Sequence, residues 1–182
     1  MDRRPAFSAS VAVSASLALT LMVVQLAFVR MASDDLPVRV VLPLTVALAP
    51  LALWAHRQRI GAWVIVVGLC ANLAAMLANG GLMPIERATV ESAVGVERAA
   101  EYETGAWIAG SKDVLVEDGR LTALGDAVIV RVGDGGFAAS PGDVVIVAGV
   151  LFLVGEAAYG ALASERPRAL PEDAEPAPPF AA

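Results

Sequence analysis

Four long apolar runs dominate this chain, separated by two short polar segments and one long one. Ala6 to Val29 carries no charge, nor does Val40 to Ala55 or Ile60 to Ile85, and Val144 to Ser164 carries only Glu156. Runs of roughly 18 or more apolar residues can cross a bilayer as helices. The pattern predicts an α-helical integral membrane protein with four transmembrane helices, at 7–29, 36–55, 60–78 and 143–164. Segment 79–142 is the one polar stretch of any size and is expected to form a small extra-membrane α+β cap between the third and fourth spans. Residues 1–6 make a short N-terminal segment. The tail 165–182, rich in Pro, Ala and acid, has too few large apolar residues to order itself.

The first run is 24 residues, about 36 Å of helix. That exceeds a signal-peptide core, and Val29-Arg30-Met31-Ala32-Ser33 is a poor cleavage pattern, so an uncleaved span is expected. Ser8, Ala12 and Ser16 recur every fourth residue, a small-residue face that lets helices approach closely. Gln25, near the end of the run, suits an interhelical hydrogen bond. In the second run Arg39 can snorkel outward, and Pro43 and Pro50 favour a bent helix. The third run has slim positions at Gly61 and Gly68, and Asn72 needs a partner in the bundle. Asn79-Gly80-Gly81 then ends it, since Asn and Gly accept left-handed backbone at a helix C-terminus, and Pro84 pushes Met83 toward an extended conformation.

Within the cap, the charged stretch 86–103 has apolar residues at helical spacing and reads as a surface helix. Val114 to Glu117 and Arg120 to Thr122 flank Asp118-Gly119, a hairpin pattern, and Ala127 to Val132 is a third β-type run. Ser140-Pro141-Gly142-Asp143 combines a capping Ser, Pro at the first helical position and a carboxylate three residues after the cap, which marks the start of the last helix.

Charge and composition narrow the function without naming it. A net charge of −6 with no basic patch argues against nucleic acid. The single Cys70 permits no intramolecular disulfide and reads as a small core residue. Glu156 is thirteenth in its 21-residue run. A carboxylate at mid-span is costly, so it calls for a hydrogen-bond partner such as Asn72 or Gln25, a partner helix, or a role in proton or ion coupling. Asp113, Glu117, Asp118, Asp126, Asp134 and Asp143 fit turn chemistry rather than a calcium loop. His56 is the sole histidine, so no Ser-His-Asp or Cys-His pair and no histidine-based metal site exists. The expectation is no catalytic residue, no cofactor and no metal.

Arginine placement orients the chain. Arg3, Arg4, Arg57, Arg59, Arg166 and Arg168 fall on one side, against Arg30 and Arg39 in the short turn opposite. The positive-inside rule then puts both termini in the cytoplasm and the cap outside. An Ala- and Arg-rich chain with one lysine suits a bacterium of high GC content and its cytoplasmic (inner) membrane.

From Asn72 through Asn79-Gly80-Gly81-Leu82-Met83-Pro84-Ile85, the chain resembles a family of small bacterial membrane proteins known only as domain of unknown function 5317. Leu124-Gly125-Asp126 and Ser140-Pro141-Gly142-Asp143 continue the resemblance, which covers roughly residues 60 to 163. Family members commonly begin with a further span that is not evident in this sequence. The resemblance implies a membrane location and importance for Asn79, Gly80, Gly81, Met83, Pro84, Asp126 and Asp143, but no activity. The sequence is read as a non-enzymatic accessory or scaffold subunit of a bacterial membrane complex, contacting the lipid bilayer and a partner membrane protein or further copies of itself. The alternative is a small transporter or channel subunit using Glu156.

Overall fold

The computed structural model describes residues 4–32, 35–132 and 135–164. The expected tail at 165–182, residues 1–3 and Asp134 lie outside these, as do the side chains of Ser8 and Ala12. Ten elements follow one another: α1 (Arg4–Met31), α2 (Asp35–Leu53), α3 (Ile60–Ala78), β1 (Met83–Glu86), α4 (Arg87–Val94), α5 (Val96–Ala99), β2 (Asp113–Val116), β3 (Val128–Val132), β4 (Gly135–Ala139) and α6 (Pro141–Ser164). The chain is mostly helical, and α1, α2, α3 and α6 are each long and apolar enough to cross a membrane. Large apolar residues such as Leu19, Leu26, Leu44, Trp63, Leu151 and Phe152 stand exposed on them.

The helices pack in series, α1 on α2, α2 on α3 and α3 on α6, the last contact being the most extensive. Glycines on both partners explain that closeness. A Cβ at Gly68 would lie 2.6 Å from the Gly142 carbonyl oxygen, and one at Gly149 would lie 2.7 Å from the Ile65 backbone nitrogen. Each pair is seven residues apart on its helix, so the slim positions return to one seam. Because Gly61 meets Leu153 and Gly68 meets Gly142, the two helices run antiparallel.

The largest buried cluster joins the cap to the long helices. Val38 and Leu42 of α2, Ala75 and Met76 of α3, Leu82, Met83 of β1 and Val114 of β2 form it, with Val29 and Ala32 from the end of α1 packed against it. The C-terminal ends of α1 and α3 and the N-terminal end of α2 therefore meet at the cap. A second cluster, Ile85, Val90, Ala99 and Leu115, is internal to the cap.

Two small sheets build the cap. β1 pairs with β2 in parallel, Met83 opposite Asp113 and Glu86 opposite Val116. β3 and β4 form an antiparallel hairpin, Val130 opposite Phe137. The hairpin expected at Asp118-Gly119 is therefore misplaced. β2 takes β1 as its partner, while the Arg120 amide and carbonyl are both bound by the Asn79 side chain, which removes that segment from strand pairing. The surface helix expected over 86–103 is two helices, α4 and α5, divided at Gly95 with φ 90°.

Three side chains also depart from expectation. Cys70 is exposed on α3 rather than packed in the core. Ser16 is exposed, and among the described residues of α1 the small one buried is Ser14. Arg39 does not snorkel away. Its Nε donates to Asp35 Oδ2 at 2.6 Å and its guanidinium also reaches the Gly80 carbonyl at 3.1 Å. α2 runs unbroken through Pro43 and Pro50.

Candidate functional site

The start of α6 is shaped by a reciprocal cap. Ser140 Oγ accepts from the Asp143 amide at 3.0 Å, and Asp143 Oδ2 accepts from the Ser140 amide at 3.1 Å. Two donors left open at a helix start are satisfied this way. The same two side chains then reach α3: Ser140 Oγ donates to Asn72 Oδ1 at 2.8 Å, and Asn72 Nδ2 donates to Asp143 Oδ1 at 2.7 Å. Asn72 thereby finds the bundle partner its burial requires.

Lys112 extends the network into the cap. Its ammonium donates to Asp143 Oδ2 at 3.1 Å and to Asp126 Oδ1 at 3.2 Å. Its carbonyl accepts from the Met83 amide at 2.9 Å, and the Asp126 amide donates to the Pro84 carbonyl at 2.9 Å. The loop carrying Leu124-Gly125-Asp126 is thus seated on β1. Gly125 permits this, because any Cβ there would overlap the Pro84 carbonyl.

Asn79, Gly80 and Gly81 form the turn between α3 and β1. Gly80 and Gly81 both have positive φ, 71° and 91°, and the Gly81 amide donates to the Met76 carbonyl at 2.7 Å. Asn79 Nδ2 donates to the Ala75 and Arg120 carbonyls at 2.8 and 2.6 Å, and its Oδ1 accepts from the Arg120 amide at 3.2 Å. Met83 and Pro84 are buried beside them. Asn72, Met83, Pro84, Asp126, Ser140 and Asp143, far apart in sequence, are linked through Lys112 into one junction, and Asn79 to Gly81 shape its edge.

This junction is acidic and partly buried. Asp126 is 2% exposed. Burial opposes the Lys112 charge, but Asp126, Asp143 and Asp113 together outweigh that cost and hold its pKa above the ordinary lysine value. Burial, and then the neighbouring Asp126, push Asp113 up to about 7, with Lys112 pulling the other way. Burial raises Asp126 as well, against the pull of Lys112. The turn role expected of Asp113, Asp126 and Asp143 is therefore incomplete: all three face one lysine. A cavity of about 360 Å³ opens above Lys112, Asp113 and Asp126, walled by Val90, Ile108 and Phe137 among others. Among the described residues, no group of three His, Cys, Asp or Glu is arranged to hold a metal ion.

Two polar residues of the long helices, Glu156 and Gln25, stand apart from the junction. Glu156 is not isolated at mid-span. Its carboxylate accepts from the Ile60 and Gly61 amides at 3.0 and 3.2 Å, so it caps the N-terminus of α3 at the end remote from the cap. The antiparallel packing sets this level, which counting along a single run cannot reveal. Gln25 is half-buried on α1 and takes no part in the junction. Lys112 escaped notice in the sequence, although one signal was present: it is the sole lysine beside twelve arginines.

No curated protein and no solved structure matches the chain. A family profile does, over residues 6–155, which reaches further toward the N-terminus than the motifs themselves. The chain belongs to this family, described as a family of unknown function (DUF5317).

Proposed function

We propose that the protein is a non-enzymatic accessory subunit of a bacterial inner-membrane complex, with both termini cytoplasmic and a rigid outer cap that receives a partner membrane protein. The observation that carries this reading is how the motif residues are used. Asn72, Ser140 and Asp143 bind one another, Asp126 binds Lys112, and Asn79 binds backbone, so the motifs are spent on fixing the cap to α3 and α6. A reaction centre needs a nucleophile or a base free to meet substrate, and a scaffold needs only rigidity. The hairpin supports the same reading: Val128, Val130 and Phe137 stand exposed, an apolar surface on an extra-membrane element.

Orientation draws support from the opposite end of the bundle. Trp63 Nε1 donates to the Arg57 carbonyl at 2.9 Å, and the Arg57 guanidinium lies 5.2 Å from the Trp54 ring centre. Exposed tryptophans beside arginines are the composition of an interface on the cytoplasmic side. Glu156 supports the accessory reading over a transport role, because its carboxylate is committed to the α3 amides.

The test is gentle extraction of the tagged protein from its own membrane, with its native mass measured beside that of Phe137→Asp. A stoichiometric second protein on the wild type, lost from a folded variant, supports the proposal. A bare monomer or homo-oligomer in both contradicts it.

A further inference from the structure

Asp113 Oδ1 and Asp126 Oδ2 are, among the described residues, the buried side-chain oxygens that meet no donor. Both residues line the floor of the cap cavity. The Asp126 charge lies close enough to Asp113 to raise the Asp113 pKa beyond what burial alone does. Two ionised carboxylates only accept, so neither can satisfy the other, whereas a single proton held between them would satisfy both.

We propose that Asp113 and Asp126 form a proton-binding site in the cap, one proton bridging Asp113 Oδ1 and Asp126 Oδ2 and exchanging with solvent through the cavity. The proton gives each orphan oxygen its partner at once. It also sets the charge around Lys112, which faces two carboxylates, Asp126 and Asp143, when the proton is bound and three when it leaves. The wall from α4, with Val90, Ala93 and Val94, contributes no charge, β1 contributes Ile85, and the hairpin contributes Phe137 and Ala138. Tyr102 brings a phenol, Ser111 a hydroxyl, and α6 brings Asp143 by way of Lys112. Among the described residues, no second cation lines the cavity to replace the lost proton.

Release of the proton to solvent leaves two buried carboxylates facing each other at the start of β2. That repulsion acts on Lys112, whose ammonium also holds α6 through Asp143. The site therefore links outer pH to the grip of the cap on the spans. Burial raises Asp113 from 3.8 to about 7 in the folded chain. A group raised on folding contributes stability that is complete below its unfolded pKa and lost as pH rises through its folded one. The cap weakens as the pH of the outer medium rises from 3.8 to about 7, and loses no more from this group above that.

Infrared spectroscopy of the full chain in detergent tests this, following the C=O band of protonated carboxyl from about pH 5 to about pH 9 alongside the melting temperature. The wild type is expected to lose the band with a midpoint near 7, while its melting temperature falls up to that midpoint and levels off above it. Asp113→Asn, whose amide can replace the shared proton with an N–H donor, is expected to lack the band and the pH slope. Asp118→Asn, an exposed cap carboxylate, keeps both. A wild-type band already gone at about pH 5, in the ordinary aspartate range, overturns the site. So does a band that survives in Asp113→Asn. If that variant fails to fold, the midpoint of the wild-type titration decides alone.

Discussion

Gly81 sits directly against the backbone carbonyl of Arg39, so close that any Cβ on Gly81 would overlap that oxygen. The reason lies four residues further along α2. Pro43 has no N–H, so the Arg39 carbonyl lacks the donor four residues on that a regular helix would give it. The α3–β1 turn occupies the space beside that carbonyl, and only a glycine with φ 91° can pass there. A proline in one span and a glycine at the end of another thus fit together, and they bring α2 to the junction that α3 and α6 share with the cap.

Substitution at this contact should discriminate between adjacent glycines. Gly81→Ala meets rigid backbone and positive φ together, whereas a Cβ at Gly80 meets the mobile end of the Arg39 side chain at 2.9 Å. Left-handed backbone alone costs a non-glycine residue about 1–3 kcal/mol. Gly80→Ala is expected to stay within that range and Gly81→Ala to exceed it, with Gly81→Val failing to fold. Melting curves in one detergent rank the three.

Lys112→Met should be among the most damaging single changes outside the apolar core. It leaves Asp126 and Asp143 without their cation, and removing one member of a buried ion pair costs about 3–5 kcal/mol. Lys112 is about a quarter exposed, which places the expected loss at the lower end, about 3 kcal/mol at neutral pH. Protonation of the freed carboxylates relieves the repulsion, so the loss should shrink as pH falls. Denaturation midpoints at two pH values check both statements.

The raised pKa of Lys112 fixes a second pH limb. Stability from a lysine raised on folding is present below its ordinary value of 10.5 and lost as pH climbs through the folded one. Wild-type protein should therefore lose cap stability at strongly alkaline pH, and Lys112→Met should show no such limb. Circular dichroism followed upward from neutral pH would record it.

Glu156→Gln should be mild. The amide oxygen of Gln can still accept from one of the two α3 amides, and loss of a helix cap costs about 0.5–2 kcal/mol. Glu156→Leu, which can accept from neither, should approach the upper end of that range. Were Glu156→Gln to leave stability unchanged and abolish an ion flux in proteoliposomes, the transport alternative would replace the accessory reading.

The long apolar helices were legible because hydrophobicity is written locally. The third run ends at Ala78 in sequence and in structure, and the Ser-Pro-Gly-Asp pattern states its own helix start. The cap was legible in composition and not in pairing. β2 looks like half of a hairpin, yet its partner β1 lies some thirty residues upstream, beyond the reach of any turn rule. The partners of Glu156 were not legible, because they are the first amides of α3, a fact about a neighbour. The junction itself was half visible: Asn72, Asp126, Ser140 and Asp143 stood out as motif residues, while the lysine that joins them lies in no motif and in a loop without periodicity.

The most direct test of this account is a double-mutant cycle between Asn72→Ala and Lys112→Met, two residues forty apart that bind opposite oxygens of Asp143. If cap and spans are held by one junction, the two losses should fail to add, with an interaction of about 0.5–3 kcal/mol. Simple additivity would mean that the cap and the bundle are held independently, and would contradict it.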